Sequence, residues 1–340
     1  MARKYRLGVA SLVHDHVWGE LGHWRELENV EIVAAADPNQ PLLEKIKNEY
    51  GVQRLYHSWQ EMLEKEELDL LQVAAANNAT AEIVEAATAK GLHVVSEKPM
   101  AARLSQADRM LAASQKHGTY LMINWPNAWS PQIQTALRRI KDGAIGQPVY
   151  FKYRAAHNGP KEIGCSEYFW KWLYDEEQNG AGALMDYCCY GADMNSYLFG
   201  LPKEVQGMRA VLAKDYPIPD DNAIIMMKYE KSFGVAEASW TQPVSYPSPT
   251  PICHGTNGCI YLWHGAAWIQ KPGDREPQKL EPDPQPEHLC SGPRYLLHCI
   301  ETGEPIEGLC SPKVSRDAQE ILEAGLVSSN TGRTVTLPVK

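Results

Sequence analysis

The first 125 residues alternate short apolar runs with helical patterns, and this alternation constrains the fold more than any other feature. The apolar runs read RLGVA, VEIVAAAD, LDLLQVAAAN, LHVVSEKP and TYLMINW. Three of the helical segments end at Gly51, Gly91 and Gly118, where a left-handed C-terminal cap favours glycine. Strands that alternate with helices pair in parallel through right-handed crossovers. The pattern therefore predicts an α/β unit with a doubly wound parallel sheet that helices cover on both faces.

The pattern changes after Asn124. An amphipathic helix with a turn, PNAWSPQIQTALRRIKDGAIGQ, precedes the strand PVYFKYRAAH, and another helix covers about residues 183–199. The later β-rich runs are EVQGMRAVLA, NAIIMMKYE, FGVAEASW and GCIYLWHG. Their close spacing predicts an α+β unit with a mostly antiparallel open sheet, and the chain end predicts a helix and a closing strand. Because 340 residues exceed what one core comfortably serves, we expect two domains, 1–124 and 125–340.

Composition excludes several classes of protein. With 44% apolar and 22% charged residues and no apolar run of membrane-spanning length, the chain is expected to be neither disordered nor inserted in a membrane. The net charge of −9 and the lack of a basic block argue against a nucleic-acid partner. The amino terminus lacks the pattern of an export signal, and the eight cysteines show no CxxC pair. We therefore expect reduced thiols and a cytoplasmic location.

The loop after the first strand, SLVHDH, stands where dinucleotide-binding chains carry G-x-G-x-x-G. Ser11, Val13 and His16 occupy the three glycine positions, so their side chains intrude on the tight turn and on the approach of a diphosphate. Amide groups of a helix that starts near His16 still offer hydrogen bonds to phosphate oxygens, as do the imidazoles of His14 and His16, whereas Asp15 adds like charge. The residues leave two interpretations open: phosphate contact, or polar loop histidines that bind nothing.

The two histidines also admit a third interpretation. His-x-His after a first strand occurs in zinc hydrolases built on barrels, because imidazoles two residues apart at a strand end can share one ion. Such a site needs further His, Lys or Asp ligands after later strands, and none is well placed in the sequence. We therefore expect no metal.

Asp37 closes the second predicted strand. An acidic side chain at this point of a βαβ unit can accept both ribose hydroxyls of an adenosine and repels a 2′-phosphate. An aspartate before proline is also a common turn former. The position favours NAD over NADP as the cofactor.

Lys98, in SEKPMA, lies at the carboxyl end of a predicted strand, where open α/β sheets bind ligands. The helix at about 183–199 carries polar groups on one face at spacings i, i+4, i+7 and i+11; they are Asp186, Tyr190, Asp193 and Tyr197. The face is either a solvated stripe or part of a site. Gly180 and Gly182 just before the helix suggest a close backbone approach, which favours a site.

These motifs together resemble the glucose-fructose oxidoreductase, inositol dehydrogenase and MocA family. The resemblance rests on SEKPMA, AAADPN, AAANNATAEIVEAATAKGLHVV, NGAGALMDYCCYGADM and GRTVTLP, and it extends over nearly the whole chain. It implies a Rossmann-like dinucleotide-binding domain followed by a substrate-binding and oligomerisation domain. Homodimers or homotetramers are expected, since an open sheet with one uncovered face is often buried against another subunit.

The resemblance also implies roles for single residues. Lys98 matches the lysine of the family's Glu-Lys-Pro signature, and Asp186 matches the aspartate of its Asp-x-x-x-His motif. Tyr190 stands at the histidine position, as in the tyrosine-containing subset of the family. Asn77 falls on the asparagine of a Thr-Pro-Asn stretch beside the nicotinamide. The cofactor contacts expected in this way are Ser11, Val13, His14, His16, Asp37, Ala75, Asn77, Glu97 and Lys98.

The implied activity is hydride transfer between nicotinamide and a hydroxyl of a sugar, polyol or glycoside. Tyr190 would relay the hydroxyl proton, Lys98 would favour the phenolate and stabilise the alkoxide, and Asp186 would orient the substrate or the lysine. Two alternatives remain: an NAD-dependent glycosidase that oxidises its substrate transiently, and a non-catalytic ligand-sensing regulator. Aromatic candidates for sugar contact border the predicted cleft in sequence; they are Trp125, Trp129, Trp170 and Trp172.

Overall fold

The computed structural model describes residues 3–244 and 248–339. Its first sheet has six parallel strands in the order β3-β2-β1-β4-β5-β6. The strands are β1 Tyr5–Ala10, β2 Val30–Ala36, β3 Arg54–Tyr56, β4 Leu70–Val73, β5 His93–Glu97 and β6 Leu121–Asn124. The order reverses at β1, so the ends of β1 and β4 flank the crevice in which such sheets bind ligands.

Helices cover both faces of this sheet. They are α1 Val17–Arg25, α2 Gln40–Tyr50, α3 Trp59–Lys65, α4 Thr80–Ala89 and α5 Leu104–His117. Gly51, Gly91 and Gly118 adopt positive φ angles of 77°, 81° and 66°, as the helix-stop pattern predicts. The strand interiors are buried along most of their length, which fits a sheet covered on both sides.

The second sheet has nine strands in the order β14-β13-β12-β11-β7-β10-β9-β8-β15. Their bounds are β7 Pro148–Ala156, β8 Glu204–Ala210, β9 Asn222–Lys228, β10 Phe233–Ser239, β11 Ile252–Gly255, β12 Gly258–Trp263, β13 Ala266–Gln270, β14 Gln278–Leu280 and β15 Val335–Thr336. Among the strand pairs described in this second sheet, only β7–β10 is parallel. The predicted fold class, a Rossmann-like parallel sheet followed by a mostly antiparallel one, is confirmed.

The remaining helices are α6 Pro131–Lys141, α7 Glu167–Leu173, α8 Glu176–Asn179, α9 Ala183–Phe199, α10 Gly292–Thr302 and α11 Pro312–Thr331. Helix α9 packs on β7 and β10 of the second sheet, with α11 against another side. Close packing on β10 depends on Gly191, because a Cβ there would lie 2.5 Å from the Cβ of Ala236. The amino-terminal end of α9 meets the end of β5, which fixes the geometry of the site.

The chain crosses between the two parts more than once. Helix α10 packs against α1 and β5, and α11 packs against α5 and β6, although both helices follow the second sheet in sequence. The proposed boundary at Asn124 therefore stays a prediction, and the carboxyl-terminal segments help to cover the first sheet. Among the described residues, no helix combines the length and apolar character needed to cross a membrane.

Candidate active site

A buried ion pair joins the two parts of the molecule. The ammonium of Lys98, just after β5, lies 2.8 Å from Oδ1 of Asp186 in the first turn of α9. The two residues are only 2% and 4% exposed. Burial alone would lower the pKa of Lys98, but Asp186, through its charge and hydrogen bond, acts together with Tyr190 and Cys189 to raise the pKa well above its usual value. The lysine is therefore a fixed positive charge in a site of low dielectric constant.

The ring of Tyr190 lies beneath this charge, one helical turn after Asp186. Its centroid is 5.0 Å from Nζ of Lys98, and the rings of Trp125, Tyr153 and Tyr187 pack around it. Burial raises the pKa of the Tyr190 phenol, and the opposing effect of Lys98 is too small to reverse the shift. Lys98 favours the phenolate, as expected, but desolvation of the anion outweighs this attraction, so the net pKa is raised. The phenol is neutral at pH 7.

More polar groups surround the pair than the sequence analysis identified. His157, which follows β7, packs its ring 4.7 Å from that of Tyr187, and its Nδ1 accepts the backbone N–H of Gly159. Burial lowers the pKa of His157, so the neutral ring carries its proton on Nε2 and can donate it in a hydrogen bond. Asn127 donates to the hydroxyl of Tyr153. No local motif in the sequence marks these residues. They lie near α9 because strand β7, which contains Tyr153 and ends just before His157, packs against that helix.

The polar face of α9 is not a solvated stripe. Asp193 is 1% exposed, and burial raises the pKa of its carboxyl well above the usual value. Tyr197 lies further along the helix, where the ammonium of Lys141 sits 4.1 Å from its ring. The close approach suggested by Gly180 and Gly182 is present, but its partners are the backbone carbonyls of Ala102 and Asp220. The two glycines therefore bring protein segments together and do not admit a ligand.

The β1–α1 loop makes its tight turn without glycine. Ser11 adopts φ 66°, in the left-handed region that glycine usually serves. The carboxylate of Asp37 stabilises this conformation, because its Oδ2 accepts the N–H of Leu12 at 2.7 Å and the hydroxyl of Ser11 at 3.3 Å. Its Oδ1 accepts the backbone N–H and side-chain amide of Asn39. Asp37 thus braces the loop, and its contact with a ribose stays a prediction.

The amide groups expected to face phosphate already make local bonds. The N–H of His16 points to Nδ1 of His14 at 3.3 Å, and the N–H of Val17 to the carbonyl of His14 at 3.0 Å. The carbonyl of Val13 accepts the indole N–H of Trp172 at 3.5 Å. Phosphate contact by this loop therefore stays a prediction and requires these bonds to be shared or exchanged.

His14 and His16 meet Glu97 at the end of β5. Nδ1 of His16 lies 3.0 Å from Oε2 of Glu97, and the two imidazole centroids are 4.5 Å apart. Burial lowers the pKa of His14 well below its usual value, so this ring is neutral. Glu20, one turn after His16, is also buried here, and burial together with the charge of Glu97 raises its pKa to about 8. No third ligand for these histidines is apparent in the sequence, but the structure places Glu97 beside both.

A cavity of about 310 Å³ opens beside the loop, at the carboxyl edge of β1, β2 and β4. Ser11, Val13, Asp37 and Ala75 are among its lining residues, with apolar surface from Trp59 and Ile83. An apolar slot next to a buried carboxylate fits the adenine and ribose of a dinucleotide. Asn77, at the end of β4, is 2% exposed and donates to Oδ1 of Asn179 at 2.8 Å, so it links β4 to α8.

The tryptophans expected to contact substrate have different environments. Trp125 is 1% exposed, packs edge-on against Tyr190 and donates to Ser315, so it supports the site from behind. Trp172 packs near His14 beside the loop, and Trp170 packs at a tilt against Tyr174. Trp129 donates to Asn124 and packs against Tyr295. Substrate contact by Trp125, Trp170 and Trp172 stays a prediction.

A doubly wound sheet with a slot that fits the adenine and ribose of a dinucleotide, and a fixed lysine at the end of its fifth strand, define a nicotinamide-dependent oxidoreductase class of protein. Comparison with known families agrees. Residues 17–125 match the oxidoreductase family with an NAD-binding Rossmann fold, and residues 133–261 match the GFO/IDH/MocA C-terminal domain. The chain belongs to the GFO/IDH/MocA family of NAD-binding oxidoreductases. The first match begins just after His16, which agrees with the unusual β1–α1 loop.

Sugar and polyol dehydrogenases are among the proteins similar to this chain. The D-apiose dehydrogenase of Paraburkholderia graminis is 35% identical over 127 residues, which cover 37% of this chain and 34% of that protein. The NAD-dependent scyllo-inositol 2-dehydrogenase of Bacillus subtilis is 22% identical over 345 residues, with 95% of each chain covered. This chain thus spans about a third of the length of the first relative and nearly all of the second.

A solved structure confirms the fold. The aldose-aldose oxidoreductase of Caulobacter crescentus superposes with a TM-score of 0.82 at 22% identity, and covers 98% of this chain and 100% of its own. The family assignment supports an NAD-dependent redox enzyme. It does not favour the glycosidase or the ligand-sensing regulator.

Proposed function

We propose that this protein transfers hydride between NAD and a secondary hydroxyl of a sugar or polyol. The observation that carries the proposal is the Lys98–Asp186 pair, with its 2.8 Å contact, stacked above the ring of Tyr190. A permanently charged ammonium beside a neutral phenol at the carboxyl edge of a dinucleotide sheet suits stabilisation of a developing alkoxide. The names of the relatives supply the substrate class.

The chain's own residues fit the dinucleotide as follows. The cavity beside Asp37 takes the adenine and ribose, and Ala75 and Asn77 at the end of β4 lie along the path to Lys98. Both oxygens of Asp37 accept protein hydrogen bonds, and the crowded negative charge disfavours a 2′-phosphate. NAD is therefore the expected form of the cofactor, with NADP disfavoured. Bound nicotinamide supplies the hydride acceptor or donor.

Lys98 and Tyr190 have separate roles in the proposed reaction. The ammonium of Lys98 stabilises negative charge on the reacting oxygen, and Asp186 holds it in place. The neutral phenol of Tyr190 hydrogen-bonds to the same oxygen and gives it a proton when a carbonyl is reduced. In the oxidation direction the phenol must first lose its proton, so that it can accept the one from the substrate. The same atom thus serves as acid in one direction and base in the other.

The neighbouring side chains suit a substrate rich in hydroxyl groups. His157 has a free Nε2–H, and the buried hydroxyl of Tyr153, whose pKa is raised to about 12, stays a neutral phenol. Tyr187 adds another phenol between them. Such neutral donors and acceptors recognise hydroxyls without requiring a charged substrate.

We also propose a homo-oligomeric, cytoplasmic protein. Strands β8, β9 and β10 expose apolar side chains on the outer face of the second sheet, among them Met208 at 77% and Phe233 at 57% exposure. Met226, at 50%, continues the patch. An exposed apolar surface of this kind is favourable to bury against a second copy. Light scattering coupled to size exclusion measures the mass directly.

The test is a panel of aldoses, inositols and anhydrosugars, with NADH formation followed by absorbance. The proposal predicts turnover with at least one compound and none for Lys98→Met. The matched control is Lys116→Met, at an exposed lysine in the last turn of α5, which leaves the rate unchanged. Equal activity of the wild type and Lys98→Met would contradict the proposal.

A further inference from the structure

We propose that His14, His16 and Glu97 form a binding site for a divalent transition-metal ion of the zinc class. One nitrogen of each imidazole and one carboxylate oxygen of Glu97 all lie within 4.8 Å of one another. The proposal does not rest on the dehydrogenase activity, because the ion is measured on protein free of dinucleotide.

The donor set is appropriate for such an ion. Two imidazoles and one carboxylate are a recurring ligand combination for zinc and neighbouring divalent metals, and they leave an open coordination position. Bond lengths of about 2.0–2.1 Å require donor atoms about 3.4 Å apart in a tetrahedral site. Nδ1 of His16 and Oε2 of Glu97, at 3.0 Å, are already close to this separation. The remaining adjustment is that the His14 nitrogen and the other two donor atoms must come closer together than they are now.

The side chain of His16 can make that adjustment. It is 35% exposed, whereas that of Glu97 is 3% exposed, so the imidazole can rotate while the carboxylate stays fixed. The exposed part of His16 also gives an ion access to the site. In the absence of metal, Nδ1 of His16 and Oε2 of Glu97 are joined by a hydrogen bond of 3.0 Å. A metal ion bound between these two atoms replaces this hydrogen bond, so Nδ1 of His16 must be free of its proton when it binds the ion.

Unpartnered polar atoms point to a missing ligand. Nε2 of His14 is buried without a hydrogen-bond partner of good geometry, and because Nδ1 of the same ring accepts the N–H of His16, Nε2 must give up its proton to bind an ion. Oε2 of Glu20, on the next turn of α1, is likewise buried without a partner. Buried polar atoms are nearly always satisfied, so each such atom needs an explanation. A cation among these groups provides one, and it offsets the negative charge of the buried Glu97 carboxylate.

A second layer of hydrogen bonds orients Glu97. Nδ2 of Asn124 donates to Oε1 of Glu97 at 3.1 Å, which leaves Oε2 free to face the histidines. The side-chain amide of Asn124 is itself fixed in position, because its Oδ1 accepts the indole N–H of Trp129 at 2.9 Å. Metal ligands are usually fixed in this way by outer partners.

The experiment loads the purified chain with zinc, removes free metal by gel filtration and counts bound zinc by mass spectrometry. The proposal predicts about one ion per chain, and Co²⁺ in its place gives the visible absorption of a four- or five-coordinate site. Glu97→Gln and His16→Asn each weaken binding at least about 10-fold, since each removes a ligand. Circular dichroism confirms that the variants are folded. If the Glu97→Gln protein does not fold, the test uses His16→Asn alone, because the His16 side chain is partly exposed and its replacement disturbs the fold less.

A surface histidine pair supplies the control. His288 and His298 stack with centroids 3.8 Å apart, and His298 pairs with Glu304, so this pair is the competing place for adventitious metal. His298→Asn leaves the stoichiometry and the cobalt spectrum unchanged if the proposed site is correct. Zinc that stays bound in His16→Asn but is lost in His298→Asn overturns the proposal. So does a wild-type chain that retains no zinc after gel filtration.

Discussion

Asp15 in the β1–α1 loop accepts two hydrogen bonds from Ser166, one from its backbone N–H at 2.7 Å and one from its hydroxyl at 2.6 Å. Ser166 is also the N-cap of α7, where its hydroxyl oxygen accepts the N–H of Phe169. The loop that should meet the dinucleotide is therefore tied to the second part of the chain. Asp15, which in the sequence looks like a repulsive charge against phosphate, has a structural partner.

This contact predicts energetic coupling between the two residues. Asp15→Ala and Ser166→Ala each lower the free energy of unfolding, and the double variant loses less than the sum, because each single change already removes the bond between the Ser166 hydroxyl and the Asp15 carboxylate. We expect a coupling energy of at least about 0.5 kcal/mol from urea denaturation of the four proteins. Strictly additive losses would show that the two side chains do not interact in solution.

Ser11 provides a test of the glycine-free turn. Ser11→Gly and Ser11→Ala both remove the hydroxyl that donates to Asp37, but only alanine retains a Cβ at φ 66°. The left-handed conformation costs a residue with a Cβ roughly 1–2 kcal/mol, part of which the greater freedom of unfolded glycine offsets. We expect the glycine variant to be about 1 kcal/mol more stable than the alanine variant in urea titrations. A more stable alanine variant would mean that the loop adopts another conformation.

The Lys98–Asp186 pair predicts separate effects on activity and stability. Lys98→Met abolishes turnover, and it also lowers the free energy of unfolding by about 3–5 kcal/mol, because the Asp186 carboxylate is left buried and unpaired. Lys98→Met combined with Asp186→Asn recovers much of the stability and none of the activity. Thermal unfolding and NADH formation on the same samples separate the two effects. A double variant that regains activity would exclude Lys98 from the chemistry.

The raised pKa of Tyr190 predicts opposite pH behaviour in the two directions. Oxidation needs the deprotonated phenol, which is a small fraction at neutral pH, so kcat/KM rises about tenfold per pH unit from pH 7 to 9. Carbonyl reduction uses the phenol that is already protonated and stays flat over this range. Tyr190→Phe removes the slope. An oxidation profile that reaches its plateau below pH 8 would assign the base to another group.

Much of the fold was predictable because its signals are local. Helix α9 has the predicted bounds of 183–199, since Gly182 and Gly200 flank a continuous helical pattern. The short strand Arg54–Tyr56 and the helix that follows it were not predicted, because three half-exposed residues carry no period. Strands Ile252–Gly255 and Ala266–Gln270, which are only four and five residues long, were also missed.

The candidate site was predictable only in part. Lys98, Asp186 and Tyr190 were identified because the family resemblance marks them, and the structure brings them together. The contact between His16 and Glu97 joins residues 81 positions apart, and that between Asp15 and Ser166 spans 151. No local pattern encodes such pairs. The direction of the Tyr190 pKa shift likewise depends on burial by Trp125 and other rings, which only the packed structure reveals.

The central claim is that hydride passes between a substrate carbon and nicotinamide beside Lys98. The most direct measurement uses the best compound of the sugar and polyol panel, deuterated at its hydroxyl-bearing carbons, and determines the mass of the nicotinamide product. The account predicts NADH that carries one deuterium from the substrate, formed by the wild type and Lys116→Met but not by Lys98→Met. Unlabelled NADH, or labelled NADH formed equally well by Lys98→Met, would contradict it.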